Sequence, residues 1–122
     1  DGMPDVYEQF YQFDPTYAPD AAADIDGDGF INLNEYIADT IPTNGASVFE
    51  VLEIVQTNRA SVMFDASTSR IYTLQFSTNM LSAVWSNVAG SVDQPGGGAG
   101  ALLSDTNAPG TNRFYRLQVE VP

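Results

Sequence analysis

Residues 24–35 of the chain have the sequence Asp-Ile-Asp-Gly-Asp-Gly-Phe-Ile-Asn-Leu-Asn-Glu. Asp24, Asp26 and Asp28 occupy alternate positions, so a tightly curled loop can direct all three carboxylates at one centre. Gly29 follows where such a loop needs its sharpest turn. Because clustered negative oxygens are unfavourable unless a cation neutralises them, the stretch predicts a cation-binding loop that leads into a helix.

The spacing of these residues identifies the cation. The stretch matches the calcium-loop pattern D-x-[DN]-x-[DN]-G-x5-E at every constrained position. In that pattern Phe30 supplies its backbone carbonyl, Asn32 an oxygen directly or through water, and Glu35 both carboxylate oxygens. We therefore expect the chain to bind Ca²⁺ through Asp24, Asp26, Asp28, Phe30, Asn32 and Glu35.

The composition restricts the remaining possibilities. The 122 residues fit one domain, or a small module plus a β-sandwich of about 75 residues, and the 43% hydrophobic content suffices for a modest core. A net charge of −12 argues against nucleic acid and anionic membranes as partners. The absence of cysteine and histidine excludes disulfides, Ser-His-Asp and Cys-His catalysis, and His-rich zinc or copper sites.

Two further features concern the membrane and the start of the chain. No apolar run approaches 18 residues, so the sequence predicts neither a membrane span nor a signal peptide. The chain starts at Asp1 without an initiator methionine, which is typical of a mature product or an excised piece.

An internal repeat relates the start of the chain to the calcium loop. Residues 1–8 align with residues 28–35 at a constant offset of 27, and residues 15–16 fall on residues 42–43. A second site is therefore predicted, with Asp1, Met3, Asp5 and Glu8 as its ligands and the first four loop positions missing. It is either empty or completed by acids of the connecting segment, such as Asp14 or Asp20. The alternative is an ordinary acidic helix start.

A short amphipathic helix is predicted after each loop. The apolar residues at helical spacing are Val6, Phe10 and Phe13 in the first helix, with Tyr7 and Tyr11 beside them, and Leu33, Tyr36 and Ile37 in the second. Pro15 and Pro42 are expected to end these helices. We expect the two helices to pack together, with the aromatic side chains forming a core rather than a carbohydrate platform.

The second half of the chain predicts antiparallel β-structure. Apolar residues recur at every second position within candidate strands 48–55, 60–65, 70–77, 84–88, 101–104 and 113–121, which alternate with turn-rich segments. The prediction is a mainly β fold: a calcium-loop helical module at 1–43, a linker at 44–47 and an antiparallel β-sandwich at 48–122. Trp85 is a candidate for stacking on a sugar, although a packing role suits its strand equally.

Residues 1–43 resemble a thrombospondin type 3-like, dockerin-like calcium-binding repeat. The resemblance is carried by Asp1-Gly2-Met3-Pro4-Asp5-x-Tyr7-Glu8, Asp24-x-Asp26-Gly27-Asp28-Gly29-x-x-Asn32-x-x-Glu35-Tyr36 and Thr40-Ile41-Pro42. It implies an EF-hand-like calcium loop that ends in a short helix and a Thr-Asp-Pro-like stop. Here the stops are Phe13-Asp14-Pro15 and Thr40-Ile41-Pro42, so the second copy lacks the aspartate.

Residues 49–121 look like the fibronectin III-like C-terminal β-sandwich that follows such repeats in secreted bacterial proteins. The matching residues are Arg70-x-Tyr72-x-Leu74-Gln75-x-Ser77-Thr78, Trp85-x-Asn87-Val88 and Arg113-Phe114-Tyr115-Arg116. The resemblance implies a non-catalytic, extracellular or cell-surface accessory module, often attached to a polysaccharide-degrading enzyme or an adhesin. The alternatives are a carbohydrate-binding module, a dockerin-like module for a protein receptor, and a self-assembling surface module.

Overall fold

The computed structural model describes residues 1–82, 84–107 and 112–122. The chain divides into two compact units, Asp1–Phe49 and Glu50–Pro122. The turn-rich linker predicted from the sequence, residues 44–47, lies just before this division. None of the helices in the described part of the chain is long and apolar enough to cross a membrane.

The first unit is built from three short helical segments. They are α1 (Asp5–Phe10), a 3-10 helix (Ala18–Ala22) and α2 (Asn32–Ala38). Acidic residues lie in the first turn of each helix, where the helix dipole favours negative charge. The acidic residues that follow each loop therefore lie where they stabilise the start of α1 or α2.

Both α-helices end at a left-handed residue. Gln12 has φ 63° and Asp39 has φ 62°, and the amide of the next residue reaches back to a carbonyl five positions earlier. These bonds are Phe13 N to Glu8 O at 2.7 Å and Thr40 N to Glu35 O at 3.0 Å, the pattern of a Schellman cap. The prediction that prolines end the helices is therefore wrong, because both caps close before Pro15 and Pro42.

The predicted apolar stripe of α1 does not face the interior. Val6 is 76% exposed and Phe10 75% exposed. The aromatic residues on the other side of the helix form the contacts instead: the Tyr7 ring lies 4.8 Å from that of Tyr11 and 4.9 Å from that of Tyr36. The aromatic cluster thus packs α1 against α2, and Val6 and Phe10 point outward.

The described residues of the second unit form seven strands in two antiparallel sheets. The strands are β1 (Val51–Gln56), β2 (Ala60–Phe64), β3 (Ile71–Ser77), β4 (Ser86–Asn87), β5 (Gln94–Pro95), β6 (Ala101–Asp105) and β7 (Phe114–Glu120). One sheet has the order β1-β2-β6. In the other, β3 pairs with β7 along its whole length, and its opposite edge pairs with β4 and β5.

Alternation along the strands creates the core of this unit. Val62, Leu74 and Val88 are buried together, and partly buried side chains from both sheets pack against them: Phe76, Leu103, Tyr115 and Leu117. The prediction of antiparallel strands is confirmed, with strand ends shifted by a few residues. The sequence did not predict β5, since a Gln-Pro pair carries no apolar alternation.

Candidate metal centres

The loop before α2 is shaped by its own aspartates. Asp24 accepts hydrogen bonds from Gly27 N (2.7 Å) through Oδ1 and from Gly29 N (2.9 Å) through Oδ2. The two glycines have φ of 79° and 99°, a conformation that other L residues rarely adopt. Asp28 Oδ1 accepts from Phe30 N at 2.8 Å. These local bonds curl the backbone around the carboxylates.

As a result, three carboxylates share one centre. Asp24, Asp26 and Asp28 each place an oxygen so that all three oxygens lie within 4.8 Å of one another. Asp26 Oδ2 and Asp28 Oδ2 are buried and have no hydrogen-bond partner among the described residues. Like charges this close repel one another, and a bound cation would lower that repulsion.

Glu35, in the first half of α2, lies outside this group of three carboxylates, although their charges act on it. Its side chain is 2% exposed, and neither carboxylate oxygen has a hydrogen-bond partner within the described ranges. Burial, followed by the charges of Asp26, Asp28 and Asp24, raises the pKa of Glu35 to about 7. The Thr40 hydroxyl partly opposes this pKa shift, although it is not placed to make a regular hydrogen bond with either oxygen.

The remaining predicted ligands of this loop are Asn32 and Phe30. Asn32 is fully buried, and its side-chain amide donates to Asp20 O at 2.8 Å, while its Oδ1 meets no donor in the described chain. The hydrogen bond to Asp20 therefore holds the Asn32 side chain in place and leaves its Oδ1 available to accept another bond. Phe30 has a 44% exposed side chain, which agrees with a role for its backbone alone.

A second acidic cluster forms at the start of the chain. Oxygens of Asp1, Glu8 and Asp20 lie within 4.8 Å of one another. Glu8 is 1% exposed, and its Oε1, like Asp20 Oδ1, is buried without a hydrogen-bond partner among the described residues. Burial, with a smaller contribution from the Asp20 charge, raises the pKa of Glu8. Met3 N donates to Asp1 Oδ1 at 3.0 Å, as Phe30 N does to Asp28 Oδ1.

Not every acid predicted for this second site lies in the cluster. Asp5 is exposed at the start of α1 and lies outside it, although its charge contributes to the raised pKa of Glu8. Asp14 accepts two hydrogen bonds from Thr16, which lower the pKa of Asp14. Of the two residues suggested for completing the half-loop, the structure brings Asp20 to the cluster and leaves Asp14 outside it.

The internal repeat extends further than the sequence shows. Asp14 N donates to Asp20 Oδ2 at 3.0 Å, and 27 positions later Ile41 N donates to Ser47 Oγ at 3.0 Å. Asp20 therefore has one oxygen that closes the turn and a second that is buried without a hydrogen-bond partner among the described residues, whereas its counterpart Ser47 offers a hydroxyl. Sequence comparison misses this pair because aspartate and serine align only once the backbone bonds are known.

The two clusters fit a hard divalent cation. All their donors are oxygens, mostly from carboxylates, and Ca²⁺ takes six to eight such ligands in a flexible geometry. Buried carboxylate oxygens without donors are costly in a folded protein, and a bound cation removes that cost. The carboxylates of Asp24, Asp26 and Asp28 in one cluster, and of Asp1, Glu8 and Asp20 in the other, therefore offer the oxygen ligands that calcium prefers.

Trp85, the predicted sugar-stacking residue, lies in the second unit and is partly buried. The Arg116 guanidinium lies 4.5 Å from the centre of its ring, and Arg116 Nε donates to Gln75 Oε1 at 2.8 Å. The Arg116 side chain therefore covers one face of the Trp85 ring, and its hydrogen bond to Gln75 holds it there.

In comparisons with protein-family models, with curated proteins and with solved structures, this chain matches none of them.

Proposed function

We propose that this chain is a calcium-stabilised, non-catalytic accessory module that acts as a spacer in the C-terminal region of a secreted bacterial protein. The observation that carries the proposal is the Glu35 carboxylate, which is 2% exposed, has no hydrogen-bond partner among the described residues and lies close to three aspartates. A folded chain tolerates such a group when a cation binds it.

The energetics of calcium binding favour a structural role. A cation that binds only the folded state stabilises it by RT ln(1 + [L]/Kd). Extracellular calcium modules have dissociation constants of roughly 10⁻⁴ to 10⁻³ M, so calcium at ~1 mM contributes about 0.4 to 1.4 kcal/mol per site. This contribution holds the short helices of the first unit in place, and it suits an environment in which calcium is abundant.

The architecture proposed for each unit follows the resemblances. The first unit is an EF-hand-like pair of thrombospondin type 3-like repeats, supported by equivalent loops, helices and caps. The second is a fibronectin III-like β-sandwich, supported by two antiparallel sheets that share one apolar core. A module of this kind separates neighbouring domains rather than performing chemistry.

The acids of the second unit support a non-catalytic role. The Asp105 carboxylate is 1% exposed and is engaged by Arg113 at 2.6 Å and by Tyr115 Oη at 3.0 Å. Asp65 Oδ1 accepts from Gly100 N at 2.9 Å and so fixes the loop before β6. These two carboxylates serve the fold, whereas a glycoside hydrolase needs a pair of acids facing a substrate.

Thermal unfolding with and without a calcium chelator tests the proposal. We expect the melting temperature of the first unit to fall when calcium is removed and to recover when calcium, but not an equal concentration of sodium, is restored. A melting curve that does not change on chelation, together with no bound metal in the purified protein, would contradict it.

A further inference from the structure

The 3-10 helix between the two loops takes part in the cluster at the start of the chain. Its residue Asp20 shares this cluster with Asp1 and Glu8. Asp20 Oδ2 also accepts a hydrogen bond from Asp14 N at 3.0 Å. Glu8 is 1% exposed, and its Oε1 is buried without a hydrogen-bond partner among the described residues. The cluster therefore contains a buried oxygen that a cation would satisfy.

The backbone of the same residue holds the side chain of Asn32. Asp20 O accepts a hydrogen bond from Asn32 Nδ2 at 2.8 Å, and Ala23 O accepts one from Asn32 N at 2.8 Å. Asn32 is fully buried, and its Oδ1 has no hydrogen-bond partner in the described ranges. These two bonds therefore fix a residue that the calcium-loop pattern makes a ligand of the second loop, and they leave its oxygen available.

The first repeat cannot make an equivalent side-chain bond. The 27-residue offset makes Asp5 the counterpart of Asn32 and Ser47 the counterpart of Asp20. An ionised carboxylate cannot donate the bond that the Asn32 amide donates, and Asp5 is exposed and lies outside the cluster. The bond between Asp20 and Asn32 therefore connects the first cluster to the second loop and does not follow from the repeat itself.

We propose that Asp20 and Asn32 couple the two proposed calcium sites, so that a cation in the cluster at the start of the chain raises the calcium affinity of residues 24–35. The 3-10 helix has only five residues, so contacts outside it decide where Asp20 lies. A bound cation anchors the Asp20 carboxylate, and the Asp20 carbonyl then orders the Asn32 side chain before the second cation arrives. The coupling is reciprocal, because each site changes the affinity of the other by the same factor.

Repulsion between the two cations acts against this coupling. A cation in the first cluster lowers the affinity of the second loop for another cation, by an amount that salt screens. A net rise in affinity therefore measures the connection through Asp20 and Asn32, since the direct effect of charge has the opposite sign.

NMR titration with calcium reads the occupancy of the second loop by itself. The amides of Gly27 and Gly29 donate to the Asp24 carboxylate, so their signals should move when calcium binds there. Glu8→Gln disables the first cluster and leaves the Asn32 bond in place. We expect this variant to bind calcium at the second loop at least about fivefold more weakly than the unchanged chain does.

Two matched backgrounds identify the bond that carries the coupling. Asn32→Asp keeps an oxygen at its position and removes the amide donor, so adding Glu8→Gln there should leave the affinity of the second loop unchanged or raise it. Asn34→Asp adds the same charge at an exposed position of the same helix and keeps the bond. In that background the fivefold fall should persist. Circular dichroism establishes that each variant is folded, and Asp1→Asn repeats the test at an exposed member of the cluster.

The coupling rests on the proposed calcium function, but the two fail in different ways. Two calcium ions that bind independently contradict the coupling and leave the proposed function intact, whereas a folded chain that takes up no calcium contradicts both. A fall in affinity that persists in the Asn32→Asp background overturns the coupling, because another contact would then transmit it. A Glu8→Gln protein that still binds two ions overturns it as well, since the first cluster would not depend on Glu8.

Discussion

At the scale of single residues, the arrangement of buried carboxylates separates this chain from an ordinary acidic protein. Glu35 and Glu8 are almost fully buried, and each has a carboxylate oxygen without a hydrogen-bond donor in the described part of the chain. Surface acids avoid this cost because water solvates them. The repeat places both glutamates at the same position of their loops. This equivalence indicates that the two buried carboxylates have the same role.

Replacing Glu35 by glutamine should change stability in opposite directions with and without calcium. Glu35→Gln removes a charge that burial and three aspartates oppose, so the calcium-free protein becomes more stable. It also removes the bidentate ligand that we propose, so we expect calcium affinity to fall at least about tenfold. Glu53→Gln, at an exposed position of β1, removes the same charge and is the control. Equal behaviour of the two variants in calcium-dependent melting would contradict the assignment of Glu35.

The raised pKa of Glu35 predicts how calcium binding depends on pH. In the calcium-free fold the pKa is about 7 against an ordinary value of 4.5, so the folded state holds a proton that the unfolded chain releases. The stability of the calcium-free protein should therefore fall as the pH rises from 4.5 towards 7. Calcium needs the ionised carboxylate, so its affinity should rise over the same window, by up to about tenfold per pH unit. Calcium titrations at several pH values measure this, and an affinity independent of pH would contradict it.

A substitution at Asp20 should remove a ligand of the cluster at the start of the chain without disturbing the fold. Asp20→Ser copies the counterpart residue Ser47, whose hydroxyl accepts the equivalent backbone bond, so the turn should be retained. The carboxylate that joins the cluster with Asp1 and Glu8 is lost, and we expect calcium stoichiometry to drop by one ion per chain. Asp14→Asn removes a charge from the same segment outside the cluster and should leave the ion count unchanged. An unaltered stoichiometry in Asp20→Ser would exclude Asp20 as a ligand.

At the scale of elements, the helix ends explain how such short helices are terminated. Each helix has only six or seven residues, and its last carbonyls are satisfied by amides that follow a left-handed residue. Helices of this length are not stable alone. The caps, the aromatic contacts and the acidic loops must therefore act together to hold the first unit.

The left-handed position after α1 predicts a stabilising substitution. Gln12 has φ 63°, a conformation that costs an L residue roughly 1 kcal/mol and costs glycine little. Gln12→Gly should therefore raise the free energy of unfolding by about 0.5–1 kcal/mol. Gln9→Gly, inside the right-handed helix, should lower it by about 1 kcal/mol. Denaturant unfolding measures both changes, and destabilisation by Gln12→Gly would contradict the assigned cap.

The sequence predicted where helices and strands form better than it predicted which side of a helix is buried. The calcium-loop spacing and the alternation of apolar residues specify local conformation, so the helices and the main strands could be predicted. The outward side of α1 could not, because Val6 and Phe10 are as apolar as Tyr7 and Tyr11, and only the neighbouring helix decides which pair is buried. The sequence left Asp14 and Asp20 as equal candidates, because the backbone bond from Asp14 N that orients the Asp20 carboxylate is visible only in the structure.

At the scale of the whole molecule, the chain combines two kinds of stability. The unit Glu50–Pro122 has an apolar core drawn from two sheets, whereas the unit Asp1–Phe49 concentrates its buried glutamates around acidic loops. Hydrophobic burial supports the former without any ligand. Under the proposed function a cation neutralises the acids of the latter, so its stability should follow the calcium concentration.

Calorimetric titration of the chelator-treated protein with calcium tests this account most directly, because it counts the ions that the two clusters hold. We expect two calcium ions per chain, with one site lost in Glu35→Gln and the other lost in Asp20→Ser. A protein that is folded throughout and takes up no calcium at millimolar concentration would contradict the account.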